Sequence, residues 1–159
     1  MRWERSVKTF WRISSYIDLE GQGGLIGSAR WHTRGRPIVY LSESPASALL
    51  ERIVHLQDGS GRLPRSYTLL RIEAPEDAAI KDLLPLTPEG WKDDLRLTRR
   101  LGDEWLASQE TAIARASSVI APRTWNYLLN PEHTEAKKVR IVEVIRERFD
   151  DRLFRFESR

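Results

Sequence analysis

The chain has no cysteine among its 159 residues. That removes thiol nucleophiles, disulfides and thiolate metal sites together, and it suits a reducing compartment. No apolar run approaches the ~18 residues that a membrane-spanning helix needs. The opening stretch MRWERSVKTFWR lacks the apolar centre of a secretory signal, so a cytoplasmic protein without membrane association is expected. His32, His55 and His133 show no metal-ligand spacing, and no nucleophile elbow is present. The glycine-rich GQGG at 21–24 lacks the spacing and the Lys-Ser/Thr of a phosphate-cradling P-loop. Metal hydrolysis, a serine triad and P-loop nucleotide binding are thereby set aside. No internal repeat, low-complexity tract or interdomain linker is visible. A chain of this length can bury a core of its own, so one domain over 1–159 is expected.

What the chain does have is a modest basic excess, +3, unevenly spread. Lys and Arg outnumber Asp and Glu in residues 1–72 and again in 115–159, while acids prevail between them. Arginine-rich surface serves a nucleotide phosphate, a nucleic acid or an acidic protein equally well, and the totals do not choose.

The richest stretch is GSARWHTRGRPIVYLSESPASALLE, from Gly27 to Glu51. Ala29 to His32 reads as a strand, Gly35 to Pro37 as a turn, and IVYL at 38–41 as the returning strand. Such a hairpin brings Arg30 close to Tyr40. Ser44 followed by Pro45 is a strong helix start, since the hydroxyl caps free N–H groups and proline takes the first position, where its own is not missed. The helix is expected to reach about Gln57, with Ala46, Leu49, Leu50, Ile53 and Val54 as its buried face and Glu51 just outside that stripe.

Elsewhere, strands are expected at Thr9 to Ser15, carrying Arg12, at Ser66 to Ala74 and at Ala79 to Leu83. A polar loop spans Asp58 to Arg65. Asp93 to about Thr111 has helical periodicity weakened by Gly102, and its acids, Asp103 and Glu104 among them, read as a solvated face. ARASSVIA at 114–121 fits a buried strand in which Ser118 needs a partner or points into a polar pocket. Trp125 to Pro131 is a short strand or turn whose two asparagines can fix backbone. Val139 to Phe149 is taken as strand because it is rich in β-branched residues. By elimination the chemistry left is a constellation of Arg30, Tyr40, Glu51 and Ser118.

The run of motifs WRIS, SARW, PIVYLSESPASALLE, GDEWL, ASSVIAP and NYLLNP, in that order, resembles the RES-domain family, which is named for an arginine, a glutamate and a serine. By this resemblance the arginine is Arg30, the glutamate Glu51, the serine Ser118 and the site tyrosine Tyr40. The resemblance implies an α+β fold similar to the ADP-ribosyltransferase toxins, a mixed sheet split around an NAD cleft with flanking helices. It also implies a toxin of a bacterial toxin–antitoxin pair that cleaves the nicotinamide–ribose bond of NAD. NAD is then a substrate, with water, phosphate or a protein as acceptor, and there is no cofactor and no metal. The implied partner is an Xre-type antitoxin that covers the site, so nucleic acid is contacted only indirectly. His32 stands where the family usually has asparagine, Ser28-Ala29 replace a Gly-Gly pair, and Ser117 competes with Ser118 as the site serine.

Loss of neutral nicotinamide leaves positive charge on the ribose, so a carboxylate there favours the transition state over the ground state. On that footing Glu51 is the catalytic candidate, and Arg30 grips pyrophosphate or ribose with its planar fork. Tyr40 and Ser118 share the nicotinamide and ribose, and Arg12 assists with phosphate. Two rival readings remain. One is transfer of ADP-ribose to a specific protein. The other, of a different class, is an RNA-binding or RNA-cleaving toxin that uses arginines, His32 and tryptophans, with salt-sensitive affinity.

Overall fold

A computed structural model describes residues 6–57 and 64–154. The polar loop expected at Asp58 to Arg65 lies outside them except for its last two residues. In chain order the elements are β1 (Val7–Ile13), α1 (Gly23–Ile26), β2 (Val39–Ser42), α2 (Pro45–Gln57), β3 (Ser66–Pro75), β4 (Ile80–Asp82), α3 (Leu95–Ser108), β5 (Ile113–Ser117), β6 (Trp125–Leu129) and β7 (Arg140–Arg148). Short 3-10 turns sit at Trp91–Asp93, Thr134–Lys138 and Asp151–Phe154.

The strands form one sheet in the order β4-β5-β6-β2-β1-β3-β7. Only β4 and β5 run parallel, the remaining pairs being antiparallel. Directly paired residues share a face. Tyr40 pairs with Leu128 and Ser42 with Asn126, while Ala114 pairs with Leu128 and Ala116 with Asn126. These six therefore line one face. Trp31, Trp91, Trp105 and Leu106 pack against its apolar members, together with Ile38, Leu83 and Leu84. The opposite face carries Phe10, Val39, Leu41, Leu70, Ile72 and Leu129. The β-rich segments thus fold as their β-branched content predicts, β7 included.

α2 begins as the Ser-Pro pair dictates. Ser44 Oγ accepts from Ser47 N–H at 3.0 Å and Ser47 Oγ accepts from Ser44 N–H at 3.1 Å. This reciprocal cap stabilises the start by about 1 kcal/mol. Its inward face differs from the expected one: Ser47, Ala48 and Ile53 are buried, whereas Ala46 and Leu50 are exposed. At ~100° per residue Glu51 falls between Ser47 and Ala48, so it points inward with them. Small Ser47 and Ala48 let the helix approach β1 and β2, and a bulkier apolar stripe would hold it away.

Three further expectations are corrected. Ala29 to His32 is not a strand: it holds a single bridge, Ala29 to His32, within a turn. Ala29 N–H donates to His32 O at 3.1 Å and Trp31 N–H to Tyr40 Oη, while α3 holds the turn: Arg99 Nε–H donates to Ala29 O at 2.8 Å, and Asp103 accepts from the adjoining Thr33 N–H at 3.0 Å and Thr33 Oγ–H at 2.7 Å. β5 ends at Ser117, and Ser118 already belongs to a turn in which its N–H donates to Thr124 O. The glycine loop contains a one-turn helix, Gly23–Ile26.

Gly102 proves a requirement of the packing. A Cβ there would lie 1.7 Å from Trp31 O, so glycine is what lets α3 touch the Trp31 turn. Asp103, read from sequence as solvated, also forms an ion pair with Arg36 at 3.3 Å and ties the turn down.

Candidate active site

α2, the end of β5 and β6 meet around one carboxylate. Asn126 Nδ2–H donates to Glu51 Oε1 at 2.9 Å, and Ser118 Oγ–H donates to the same oxygen at 3.3 Å. The hydroxyl has no freedom to turn elsewhere, because its oxygen accepts from Ile120 N–H and Ala121 N–H, each at 3.1 Å. Ser118 is buried, 4% exposed. Ser117, one residue earlier in the alternation, pairs with Trp125 on the other face, so Ser118 is the serine that meets Glu51. Glu51 Oε2 has no hydrogen-bond partner among the described residues and is not among the buried orphaned atoms. The carboxylate is thus fixed at one oxygen and open at the other.

Arg30 sits on the neighbouring turn, and Tyr40, on β2, bonds to that turn. Trp31 N–H donates to Tyr40 Oη at 3.1 Å. His32 places Nε2 at 2.8 Å from Gly27 O and Nδ1 at 2.8 Å from Tyr40 Oη. A carbonyl only accepts, so Nε2 carries the proton, Nδ1 is bare, and Tyr40 O–H donates to it. The tyrosine hydroxyl is therefore committed within the protein, and its ring packs against the cluster that holds Trp31, Ala114 and Leu128. Burial raises the Tyr40 pKa well above its ordinary value, opposed by the Trp31 N–H and by the charges of Arg99 and Arg30. Desolvation lowers that of His32, consistent with the neutral ring its bonds require.

Arg30 donates one N–H to Lys92 O at 2.7 Å and forms no ion pair among the described residues, so most of its fork is free for an anion. No hydrogen bond or ion pair among the described residues joins Arg30, Tyr40 or Arg12 to Glu51. Arg12 donates to Asp18 O at 3.1 Å, and desolvation lowers its pKa. Trp11 pairs with Ser42, so strand alternation sets Arg12 on the side of Phe10 and Leu70, away from Tyr40 and Asn126. The structure thus unites Glu51 with Ser118, sets Arg30 on a turn that the β2 residue Tyr40 holds through Trp31 and His32, and leaves Arg12 apart.

Asn126 was read from sequence as a backbone-fixing residue. Asn130 does that, accepting from Glu132 N–H at 3.1 Å, while Asn126 fixes the carboxylate. The available signal was its place two residues before buried Leu128 on one strand.

Two hollows, of about 450 and 530 Å³, lie beside the turn and α3 and are lined by Arg36 with Leu106 and by Arg36, Arg96, Arg99 and Arg100. Glu51 borders neither. Two of their arginines are already engaged, Arg36 with Asp103 and Arg99 with Ala29 O.

A seven-stranded mixed sheet with flanking helices, holding one carboxylate between α2, β5 and β6, defines a mixed α+β fold. The RES domain family model matches residues 8–152, and the chain belongs to the RES-domain family. It is 44% identical over 131 residues to the protein named Toxin Res of Pseudomonas putida, covering 82% of this chain and 90% of that one. It is 37% identical over 158 residues to the Prs ADP-ribosylating toxin of a Sphingobium species, covering 92% and 97%. Among solved structures it matches the M. tuberculosis MbcT-MbcA toxin–antitoxin complex with a TM-score of 0.70 at 18% identity, over 91% of this chain and 86% of that one. That likeness bears on the fold alone. No helix among the described residues is long and apolar enough to cross a membrane.

Proposed function

We propose that this chain is the toxin of a toxin–antitoxin pair and that it consumes NAD by breaking the bond between nicotinamide and ribose. The observation that carries the reading is the Glu51 carboxylate, held at Oε1 and free at Oε2. As the C–N bond breaks, its electron pair leaves with neutral nicotinamide and the ribose carbon becomes cationic. A carboxylate already oriented and partly desolvated stabilises that charge without reorganising. Its open oxygen also accepts a ribose hydroxyl or the proton of the incoming acceptor. Arg30 supplies charge for the pyrophosphate, and the Tyr40 ring, its hydroxyl occupied, offers a face to nicotinamide. Arg12, tied to Asp18 O on the other side of the sheet, has only a remote role with phosphate.

Water as acceptor gives ADP-ribose and a proton, and phosphate gives a phosphorylated ADP-ribose. The Sphingobium relative, named for ADP-ribosylation, favours a protein nucleophile as the second reading. An Xre-type antitoxin covering the site is the proposed partner, with support from the toxin–antitoxin assembly of the structural neighbour. A cytoplasmic location fits both the partner and the substrate.

The test is the fate of NAD mixed with purified protein, with and without phosphate, following nicotinamide release and the ribose product. Glu51→Gln is expected to keep the fold and slow release by about a hundredfold, roughly 3 kcal/mol of transition-state stabilisation. Unchanged turnover in that variant removes Glu51 from the mechanism. Labelled protein from a lysate supplied with labelled NAD would select the second reading.

A further inference from the structure

We infer that Asn126 is the positioning residue for Glu51: its side-chain amide clamps one carboxylate oxygen so that the other faces the reacting ribose. The inference rests on the NAD-consuming reading and assigns a role in it to a residue outside the arginine, glutamate, serine and tyrosine set.

Three observations converge. The first is distance. Asn126 Nδ2 reaches Oε1 at 2.9 Å, whereas the Ser118 hydroxyl reaches it only at 3.3 Å, long for an O–H donor. The amide is therefore the stronger hold. The second is direction. Turning the amide over would set Oδ1 against the carboxylate, oxygen to oxygen, so the carboxylate dictates which end faces it.

The third is what this arrangement leaves undone. Asn126 Oδ1 is buried and has no hydrogen-bond partner among the described residues. An orphaned buried acceptor is destabilising, and an apolar side chain of similar shape would remove the penalty. Its neighbours on that face are Ser42 across β2, Ala116 across β5 and Leu128 along β6, and no hydrogen bond among the described residues joins Ser42 to the amide, so folding alone does not ask for an amide here. The stabilising partner of the amide is Glu51 itself. A pair that leaves one oxygen of each member without a protein donor is built to hold a carboxylate, not to strengthen a core.

The position on β6 also gives rigidity. Asn126 is paired on both sides, with Ser42 of β2 and Ala116 of β5, so its Cα is set by two ladders. Ser118 lies in a turn beyond the end of β5, and Glu51 is carried by α2, outside the sheet. Asn126 is the member of the trio anchored in the middle of the sheet.

The test is steady-state NAD cleavage by the purified chain and four variants, Asn126→Ala, near-isosteric Asn126→Asp, Glu51→Gln, and Asn126→Ala combined with Glu51→Gln. Melting curves confirm that each is folded. The expected result is a fall in kcat of about tenfold or more for Asn126→Ala, the scale of one hydrogen bond to a charged group, with KM for NAD little changed. Asn126→Asp, which sets two carboxylates against each other, falls further. In the Glu51→Gln background the added Asn126→Ala changes kcat by less than about twofold, because residues acting as a unit are not additive. Wild-type kcat in both single Asn126 variants, or full additivity in the double one, overturns the inference.

The side-chain amide of Asn126, observed by NMR in ¹⁵N-labelled protein, is read beside the kinetics. One Nδ2 proton should resonate downfield and exchange slowly, and Glu51→Ala should abolish both signatures. If the wild-type protein releases no nicotinamide, the functional reading fails and the clamp is judged on these signals. Signals indifferent to Glu51→Ala defeat the clamp itself.

Discussion

Replacing Gly102 by alanine gives two opposite answers depending on what is considered. In an isolated helix interior the change stabilises by roughly 1 kcal/mol, since alanine loses less backbone freedom than glycine. Here the added Cβ would stand 1.7 Å from Trp31 O and 2.7 Å from Trp31 C. Ordinary contact begins at 3.4 Å, so the turn has to retreat by about 1.7 Å, a distance no side-chain rotation supplies because the obstructing atoms are backbone. That retreat pulls Trp31, 2% exposed, out of its packing on Trp91 and Trp105, and stretches the bonds from Thr33 to Asp103. Overpacking of this kind costs about 3 kcal/mol or more. Set against the propensity gain, the net is about 2 kcal/mol of destabilisation, or some 4–8 °C in Tm for a chain of this size. The assay is thermal or urea denaturation of both proteins, with NAD turnover measured alongside, since Arg30 is carried by the same turn. A Gly102→Ala protein as stable as the parent, or more so, would refute the close approach of α3 and with it the account of how the turn is held.

Tyr40→Phe keeps the ring but strips the acceptor from Trp31 N–H and the donor from His32 Nδ1, and should cost about 1–3 kcal/mol of stability by urea titration. An unchanged midpoint would mean that water replaces the hydroxyl and that the tautomer argument is wrong. His32 gives a pH signature. Its pKa is lowered by desolvation in the folded state, so the unfolded chain binds the proton more readily. Its contribution to stability is complete above the unfolded value near 6.5 and is lost as pH falls through the lowered folded value. Denaturation midpoints should fall between pH 7.5 and 5.5, and by less in His32→Asn, whereas equal slopes in the two proteins would exclude His32 as the source.

The strands and the helix starts were legible because their causes are local. β-branched alternation sets β1, β3 and β7, and a Ser-Pro pair sets α2, whatever the rest of the chain does. The failures share a different cause. Ala29 to His32 alternates like a strand, but its backbone groups go to one another, to Tyr40 Oη and to Arg99, some seventy residues away. The buried side of α2 was misjudged because periodicity weighs apolar size, while the packing selected small Ser47 and Ala48 and turned Glu51 inward. Gly102 looked like a defect for the same reason: the helix sequence does not contain the Trp31 carbonyl. The strand order, which places β2 between β6 and β1, is likewise absent from any local signal. Arg30, Glu51 and Ser118 were the constellation left over in the sequence and took their roles from the resemblance, and geometry then gave Ser118 a partner and separated it from Ser117.

The two halves of the site depend on different supports. Arg30, His32 and the partners of Tyr40 ride on a turn fastened to α3 through Gly102, Asp103 and Arg99. Glu51, Ser118 and Asn126 are fastened by the cap of α2 and the ladders of β5, β6 and β2. No bond among the described residues crosses from one set to the other. A ligand spanning both, with phosphates at Arg30 and a ribose at Glu51, would supply that bridge itself. Such an arrangement spends binding energy from the remote phosphates on bringing the ribose to the carboxylate, which is where remote contacts become useful to catalysis. On the proposed reading an occupied tyrosine hydroxyl is no loss: Tyr40 stands on β2 between the two supports, and a hydroxyl tied to His32 would keep its ring still for a ligand placed against it.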